Sequence, residues 1–131
     1  MQRLRRRPQW PTFHPDSTRN FGGFCIEVFL TLFKSGLPKN EVLKKFAERA
    51  NKYREVKGLL QKYYVHDESS GEFGGVYIFD SRGSLDAFRA SDLAKSIGDT
   101  YKYLEPPTRK VFNVNLVLYD EGKRMVTSNT S

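Results

Sequence analysis

Two predicted strands separated by a five-residue loop constrain the fold of this chain most strongly. Residues 59–67 (LLQKYYVHD) and 73–80 (FGGVYIFD) are apolar and aromatic segments that predict strands. The intervening ESSGE contains Gly71, which can adopt the positive φ that a tight reversal needs. The segment is therefore predicted to be a β-hairpin.

A strand and a helix are predicted before this hairpin. Residues 24–33 (FCIEVFLTLF) are β-branched and aromatic, which predicts a strand, and Pro38 suits the start of a helix. Gly58 is predicted to end that helix. Its apolar residues recur at helical spacing, namely Val42, Leu43, Phe46, Ala47, Ala50 and Tyr53. The opposite face is charged and contains Lys44, Lys45, Glu48, Arg49 and Lys52.

A second helix and a last strand are predicted after the hairpin. Ser81 or Ser84 can cap the helix, and Gly98, Asp99 and the Pro106–Pro107 pair break it. Its apolar side includes Leu85, Phe88, Leu93, Ala94 and Ile97. Residues 109–119 (RKVFNVNLVLY) predict the last strand. Its apolar face is formed by Phe112, Val114, Leu116 and Leu118, opposite Asn113 and Asn115.

The resulting order β-α-β-β-α-β predicts an α+β fold of the ferredoxin-like type. In this arrangement a four-stranded antiparallel sheet carries both helices on one face. The second strand is apolar on both sides, with Leu59, Tyr63 and Val65 on one and Leu60 and Tyr64 on the other. Two apolar faces need a second layer, and in so short a chain a partner subunit is the economical source of it. We therefore expect a homodimer.

The positive charge of the chain is concentrated at its N-terminus. The formal net charge is +7, but residues 1–20 contain five arginines against one aspartate, and the remaining residues contain 17 basic and 14 acidic side chains. Residues 1–20 are predicted to be a basic, disordered extension, 21–120 a single domain and 121–131 a flexible tail. An arginine-rich start could also be a targeting presequence or a nucleic-acid arm. Because the body is nearly balanced in charge, nucleic-acid binding is not favoured.

Several other classes of function are disfavoured by the residues present. No segment approaches the length of a membrane span, and the single cysteine, Cys25, fits a reducing compartment, so a cytoplasmic location is expected. His66 is the only histidine in the predicted domain, which leaves no zinc constellation. Phosphate-loop and dinucleotide-binding motifs are also missing. We expect neither a metal nor a cofactor.

The hairpin also carries a family pattern. GLLQKYYVHDESSGEFGGVYIFDS, together with the later KVFNVNL, resembles the YdhR-type monooxygenase family of the dimeric α/β-barrel superfamily, over residues 24–118. The matching positions are Gly58, Leu59, Lys62, Asp67, Glu68, Gly71, Gly74, Gly75, Tyr77 and Phe79. This resemblance implies subunits whose sheets pair into a barrel, with a small pocket between sheet and helices in each.

The resemblance also implies a range of reactions. The superfamily includes cofactor-free oxygenases that convert anthrones or quinols to quinones, polyketide cyclases and isomerases. The expected function is therefore a cofactor-independent monooxygenase, or a related proton-transfer enzyme, acting on a small aromatic or polyketide-like substrate. The alternative is a non-catalytic dimeric module that binds a hydrophobic ligand or serves in a stress response.

Three residues of the first hairpin strand are candidates for catalysis. Lys62, Tyr64 and His66 alternate with residues of the opposite face and so lie on one side of the strand, together with Leu60. Cofactor-free oxygenation and cyclisation both need a base to remove a proton and a donor to stabilise the anion. His66 could be the base and Lys62 or Tyr64 the donor. Two other interpretations stay open: a solvated histidine at the strand end and a lysine that extends from the barrel rim.

Four further residues are candidates for substrate binding. Tyr77 and Gly75 share a face of the second hairpin strand, and a glycine there lets a ligand approach closely or marks a bulge. Asn113 can hydrogen-bond a ligand or face solvent at the dimer seam. Phe88, on the apolar side of the second helix, supplies an aromatic wall.

Overall fold

A four-stranded antiparallel sheet forms the centre of the molecule. The computed structural model describes residues 25–118 and 125–127. The strands β1 (Glu27–Phe33), β2 (Leu59–His66), β3 (Phe73–Phe79) and β4 (Thr108–Asn113) lie in the order β2–β3–β1–β4. This order confirms the predicted ferredoxin-like α+β fold. The predicted basic extension, residues 1–20, lies outside the described residues.

Four helices pack on one face of the sheet. The first, α1 (Lys39–Tyr53), ends five residues before Gly58, which instead has a φ of +82° and leads directly into β2. The predicted second helix is divided into α2 (Arg82–Arg89), α3 (Asp92–Lys95) and α4 (Ile97–Thr100). Ser81 caps α2 by accepting a hydrogen bond from the Ser84 amide. Ser91 caps α3 in the same way, so the chain restarts a helix where a continuous one was predicted.

Aromatic side chains dominate the core between the sheet and the helices. One cluster of buried residues comprises Phe29, Tyr53, Tyr77, Phe79, Leu85 and Phe88. A second comprises Phe33, Val42, Phe46, Phe73 and Tyr101. The two clusters lie along the same sheet face, and β1 and β3 contribute to both. The apolar spacing in the sequence identified the buried residues of both helices, namely Val42, Phe46 and Tyr53 of α1 and Leu85 and Phe88 of α2. Leu43 and Ala47, which were predicted on the same stripe of α1, are exposed.

An irregularity in β2 changes which leucine faces the helices. The pairing of β2 with β3 shifts between Leu59 and Gln61, so the simple alternation of sides fails there. Leu59 packs against the helix-side core, whereas Leu60 packs with Ile26 on the opposite face. The predicted sides of Leu59 and Leu60 were therefore wrong. Beyond the shift, Lys62, Tyr64 and His66 share one side of the strand as predicted, and this side faces the helices.

The last strand is shorter than predicted. β4 ends at Asn113, and after residues 114 and 115 a second, two-stranded sheet pairs β5 (Leu116–Leu118) with β6 (Met125–Thr127). Val114 and Val117 pack near Ile26, while Leu116 and Leu118 are exposed, so the predicted single apolar face was wrong. Within the predicted flexible tail, Met125–Thr127 is a strand, and residues 121–124 and 128–131 lie outside the described residues.

The described helices are all too short or too polar to cross a lipid bilayer.

Candidate active site

An amine lies inside a cage of tyrosine rings between the sheet and α1. The Lys62 Nζ lies 3.4 Å from the centroid of the Tyr53 ring, 4.1 Å from that of Tyr64 and 4.5 Å from that of Tyr77. The negative faces of aromatic rings attract a cation, so three rings partly replace the water that an ammonium loses here. These contacts bring together three of the residues predicted for the site and one residue, Tyr53, that was not.

The register of the hairpin creates this cage. Lys62 pairs with Tyr77 across β2 and β3, and the next pair on the same face is Tyr64 with Gly75. A Cβ placed on Gly75 would lie 3.0 Å from Tyr77 Cε1 and 3.2 Å from Lys62 Cε. Gly75 thus leaves the space that the lysine stem and the tyrosine ring occupy. No bulge interrupts the pairing at this glycine, and the role of Gly75 in substrate binding stays a prediction.

The cavity around the amine is narrow, and the residues that line it include no acidic side chain. Its free volume is about 10 Å³, which holds roughly one water molecule. The cavity is lined by residues of the sheet, of α1 and of α4, and by Tyr101, which follows α4. These residues are Thr31, Phe33, Phe46, Tyr53, Lys62, Tyr64, Gly74, Gly75, Tyr77, Ile97 and Tyr101. Among the described residues, Lys62 has neither an ion pair nor a hydrogen bond. A substrate therefore has to enlarge this cavity.

Burial without a counter-ion changes the acidity of the amine. Desolvation, with a smaller contribution from the Arg49 guanidinium, lowers the pKa of Lys62 from 10.5 to about 7. At neutral pH the side chain is thus present in both its neutral and its charged form. A neutral amine can accept a proton, and the resulting ammonium can stabilise an anion, so one side chain can serve both steps.

The surrounding hydroxyls stay protonated. Burial raises the pKa of Tyr64 to about 12 and that of Tyr77 well above its ordinary value, with the Tyr53 ring adding to both. These phenols are therefore hydrogen-bond donors at neutral pH. The Tyr64 hydroxyl is buried and has no partner within the described part of the chain. An unsatisfied buried donor is available to a ligand.

Two residues beside the cage were missed from the sequence. Tyr53 was assigned to the apolar stripe of α1, and only the packing of α1 on β2 shows that its ring covers Lys62. Arg49 was placed on the charged face, but it is partly buried and donates a hydrogen bond of 3.0 Å to Ser96 Oγ. Its position four residues before Tyr53, one helical turn away, was the available signal.

The other predicted site residues do not line the cavity. His66 stacks on Phe73 at 4.3 Å between ring centroids, and its Nδ1 lies 3.1 Å from the Glu72 carbonyl oxygen. Phe88 packs behind Tyr77, in the core. Asn113 donates a hydrogen bond to the buried Glu27 carboxylate at the far end of β1. The roles assigned to these residues stay predictions.

The described residues include no cluster of three or more histidine, cysteine or acidic side chains placed to hold a metal ion.

Solved structures of other proteins have the same fold as this chain. SnoaB, described as a cofactor-independent oxygenase from Streptomyces nogalater, matches with a TM-score of 0.59 and 10% identity, over 72% of this chain and 97% of that one. A "putative antibiotic biosynthesis monooxygenase" from Caulobacter crescentus matches with a TM-score of 0.59 and 17% identity, over 70% and 91%. A dimeric ferredoxin-like protein of unknown function from Thermobifida fusca matches with a TM-score of 0.58 and 11% identity, over 70% and 92%.

Sequence comparison adds the family. No curated protein matches the chain significantly. A family model described as "Putative mono-oxygenase ydhR" matches residues 30–118, which contain the hairpin, the tyrosine cage and most of the sheet. The chain therefore belongs to the YdhR family.

Proposed function

We propose that this protein is a cofactor-independent monooxygenase that oxidises a small aromatic substrate, such as an anthrone or a quinol, to a quinone. The observation that carries the proposal is the partly buried amine of Lys62, which has no counter-ion among the described residues and lies against three tyrosine rings. Its lowered pKa, about 7, suits a group that must accept a proton near neutral pH. The similarity in fold to SnoaB, itself described as a cofactor-independent oxygenase, supports the same class of reaction.

The proposed reaction balances without an added reductant. For an anthrone, the neutral Lys62 amine removes a proton from the reacting CH₂ carbon, and the resulting carbanion reduces molecular oxygen and combines with it. Loss of water from the peroxide then gives the carbonyl. One oxygen atom enters the product, and the other leaves as water with both hydrogens of the CH₂ group. The substrate supplies all the electrons.

The cage residues have distinct roles in this scheme. The ammonium formed on Lys62 stabilises the adjacent anion electrostatically, and the protonated Tyr64 hydroxyl can donate a hydrogen bond to its oxygen. The aromatic walls fit a flat ring and exclude water. Because the cavity holds only about one water molecule, entry of a ring requires the side chains of the cage to separate.

Oxygen consumption and quinone absorbance, with a panel of anthrones and naphthoquinols as substrates, test this proposal. We expect kcat/KM to rise with pH through about 7, because the free enzyme then gains the neutral Lys62 amine. The Lys62→Met variant should lose at least about 100-fold in kcat, as expected for removal of a general base. Lys44→Met, a matched change at an exposed position of α1, should leave the rate unchanged.

Comparison with His66 sharpens the test. An imidazole can also act as a base near neutral pH, so the pH profile alone does not identify the group. If Lys62 is the base, His66→Gln keeps most of the activity. Loss of activity in His66→Gln with full activity in Lys62→Met would contradict the proposed role. Turnover that continues at the same rate without oxygen would exclude the oxygenase reaction and favour a cyclase or isomerase. Ligand binding without any turnover would favour the non-catalytic module.

We also propose that the protein is a homodimer formed through the sheet face opposite the helices. Two apolar rows cross this face in register. Tyr63, Val76 and Leu30 form one row, and Ile78, Val28 and Phe112 form the other. Tyr63 and Phe112 are 51% and 46% exposed, which is unusual for aromatic residues of a sheet. A neighbour in fold is described as dimeric, which supports the proposal.

A further inference from the structure

We propose that the cavity binds an aromatic ligand that carries an anionic oxygen, and that Arg49 and Tyr64 hold this oxygen beside Lys62. The inference names the substrate class of the proposed monooxygenase, and for the reaction it rests on that proposed function. The binding step itself stands on the geometry of two buried polar groups and can be measured without turnover.

Two buried donors near the amine have no partner. Arg49 Nε and Tyr64 Oη are both excluded from solvent, and neither makes a hydrogen bond within the part of the chain that the structure describes. The one hydrogen bond of Arg49 there joins its Nη2 to Ser96 Oγ. Buried donors without acceptors are rare in native proteins, and a ligand oxygen that accepts from them would satisfy both.

The charges around the cavity favour an anion. Arg49 is a cation, Lys62 is a cation in its protonated form, and the residues that line the cavity include no acidic side chain. On α1, Arg49 lies three residues after Phe46 and four before Tyr53, both of which line the cavity, so it shares their side of the helix. Two cations that share a partly desolvated region repel each other, and an anion bound between them replaces this repulsion by two attractions. A carboxylate or an ionised phenol on an aromatic ring would fill this role.

An open groove on the outer side of Arg49 offers a way in. The groove has a volume of about 580 Å³, which suits a small-molecule ligand. The cavity around the Lys62 amine, with about 10 Å³, is too small for one. The segment 97–101 separates the two: Ile97 and Tyr101 line the cavity, and Asp99 and Thr100 line the groove. Arg49 lines the groove, where Lys45, Lys52 and Lys102 also occur with Glu41 and Glu48. Among these described groups, no carboxylate forms an ion pair with Arg49.

Calorimetric titration of the full chain with matched probes tests the inference. One arm compares benzoate with benzamide, and the other compares 4-nitrophenolate with 4-nitroanisole, so that the carboxylate and the phenolate are distinguished. We expect the anion to bind at least tenfold more tightly than its neutral partner in one or both arms. A preference in either arm supports the anion site and identifies the anion. Equal binding, or no binding, in both arms overturns it.

Variants then assign the preference to Arg49. Arg49→Gln should remove at least tenfold of the anion preference, and Arg54→Gln, the same change at an exposed position at the end of α1, should keep it. An unchanged preference in Arg49→Gln overturns the role of Arg49. If Arg49→Gln does not fold, Tyr64→Phe removes only the unpaired hydroxyl, and an unchanged preference there overturns the site.

The two proposals fail in distinguishable ways. If the protein consumes no oxygen but still prefers anions, the proposed oxygenase reaction is wrong and the proposed anion site stands. If the protein forms a quinone but shows no preference for anions, the proposed anion site is wrong and the proposed reaction stands.

Discussion

At the scale of the residue, Lys62 shows how a functional group can oppose stability. Lysine normally keeps its charge in water, and here the fold removes the water and supplies aromatic faces in place of a carboxylate. The pKa of Lys62 is therefore about 7 in the folded protein, below its ordinary value of 10.5. Between these two pH values the unfolded chain binds more protons than the folded one. The free energy of unfolding therefore increases as the pH rises from about 7 to 10.5. Below about pH 7 the folded protein bears the full cost of the buried charge.

Replacement of Lys62 by methionine should therefore stabilise the protein at pH 7 while it removes activity. Methionine keeps the length and the contacts of the stem and removes the desolvated amine. We expect the free energy of unfolding in urea to increase by about 2 kcal/mol at pH 6, with a smaller increase at pH 9, because the wild-type amine is already neutral there. The Lys44→Met control should show no such pH dependence. A destabilised Lys62→Met at pH 6 would mean that the three tyrosine contacts outweigh the cost of desolvation.

At the scale of the element, the sequence predicted those features that depend on neighbouring residues alone, such as turns and the buried faces of helices. The hairpin was predictable because Gly71, with its φ of +79°, reverses the chain, and the flanking residues alternate between sheet faces. The faces of α1 and α2 followed from helical spacing. The division of the second helix was signalled by Ser91, whose side chain caps α3, but a capping serine inside an apolar pattern is easily missed.

The rest of the site depends on tertiary packing. Tyr53 covers Lys62 only because α1 crosses β2 at that point, and Arg49 is buried only because the segment around Ser96 covers it. The shift in β2 that exchanges the sides of Leu59 and Leu60 depends on pairing with β3. The residue pattern of one segment cannot reveal these contacts, because each of them joins two segments that are distant in the sequence. The sequence therefore predicted Lys62 and Tyr64 on one face of the first hairpin strand and Tyr77 as a site residue of the second. It did not predict that these residues meet, or which residues turn this face into a cavity.

Gly58 and Gly71 together show how much steric packing and backbone conformation each contribute to the cost of replacing a turn glycine by alanine. Both have positive φ, so alanine strains either position by about 1–2 kcal/mol. At Gly71 an added Cβ meets nothing within 4 Å, but at Gly58 it would lie 2.1 Å from Ser84 Oγ. We expect Gly58→Ala to lower the free energy of unfolding by about 2 kcal/mol more than Gly71→Ala does, as measured by urea denaturation.

A second substitution checks the cause of this difference. Ser84→Gly removes the two nearest side-chain atoms that the new Cβ would approach and leaves Asp80 Oδ1 at 2.7 Å. Gly58→Ala in that background should therefore cost less than in the wild type, but still somewhat more than Gly71→Ala. Energies that add independently in the double variant would contradict the steric explanation, since residues in direct contact are expected to couple.

At the scale of the whole molecule, the two faces of the sheet have different partners. The helices cover one face and enclose the tyrosine cage. On the opposite face Ile78 packs in a cluster with Ile26, while Tyr63 and Phe112 stay 51% and 46% exposed. A sheet apolar on both sides is stable in water only if a second layer covers it. The proposed dimer would supply this layer, and it would also fix the sheet that carries Lys62 from behind.

Phe112→Glu tests this arrangement directly. A carboxylate within an apolar interface must be desolvated without a partner, so we expect the variant to be monomeric where the wild type is dimeric, as measured by light scattering coupled to gel filtration. Leu43→Glu is the matched control, because Leu43 is 44% exposed, close to the 46% of Phe112, but lies on α1 away from this face. It should leave the dimer intact. A dimer that survives Phe112→Glu and dissociates in Leu43→Glu would place the interface on the helices, and a monomeric wild type would require another cover for the apolar rows.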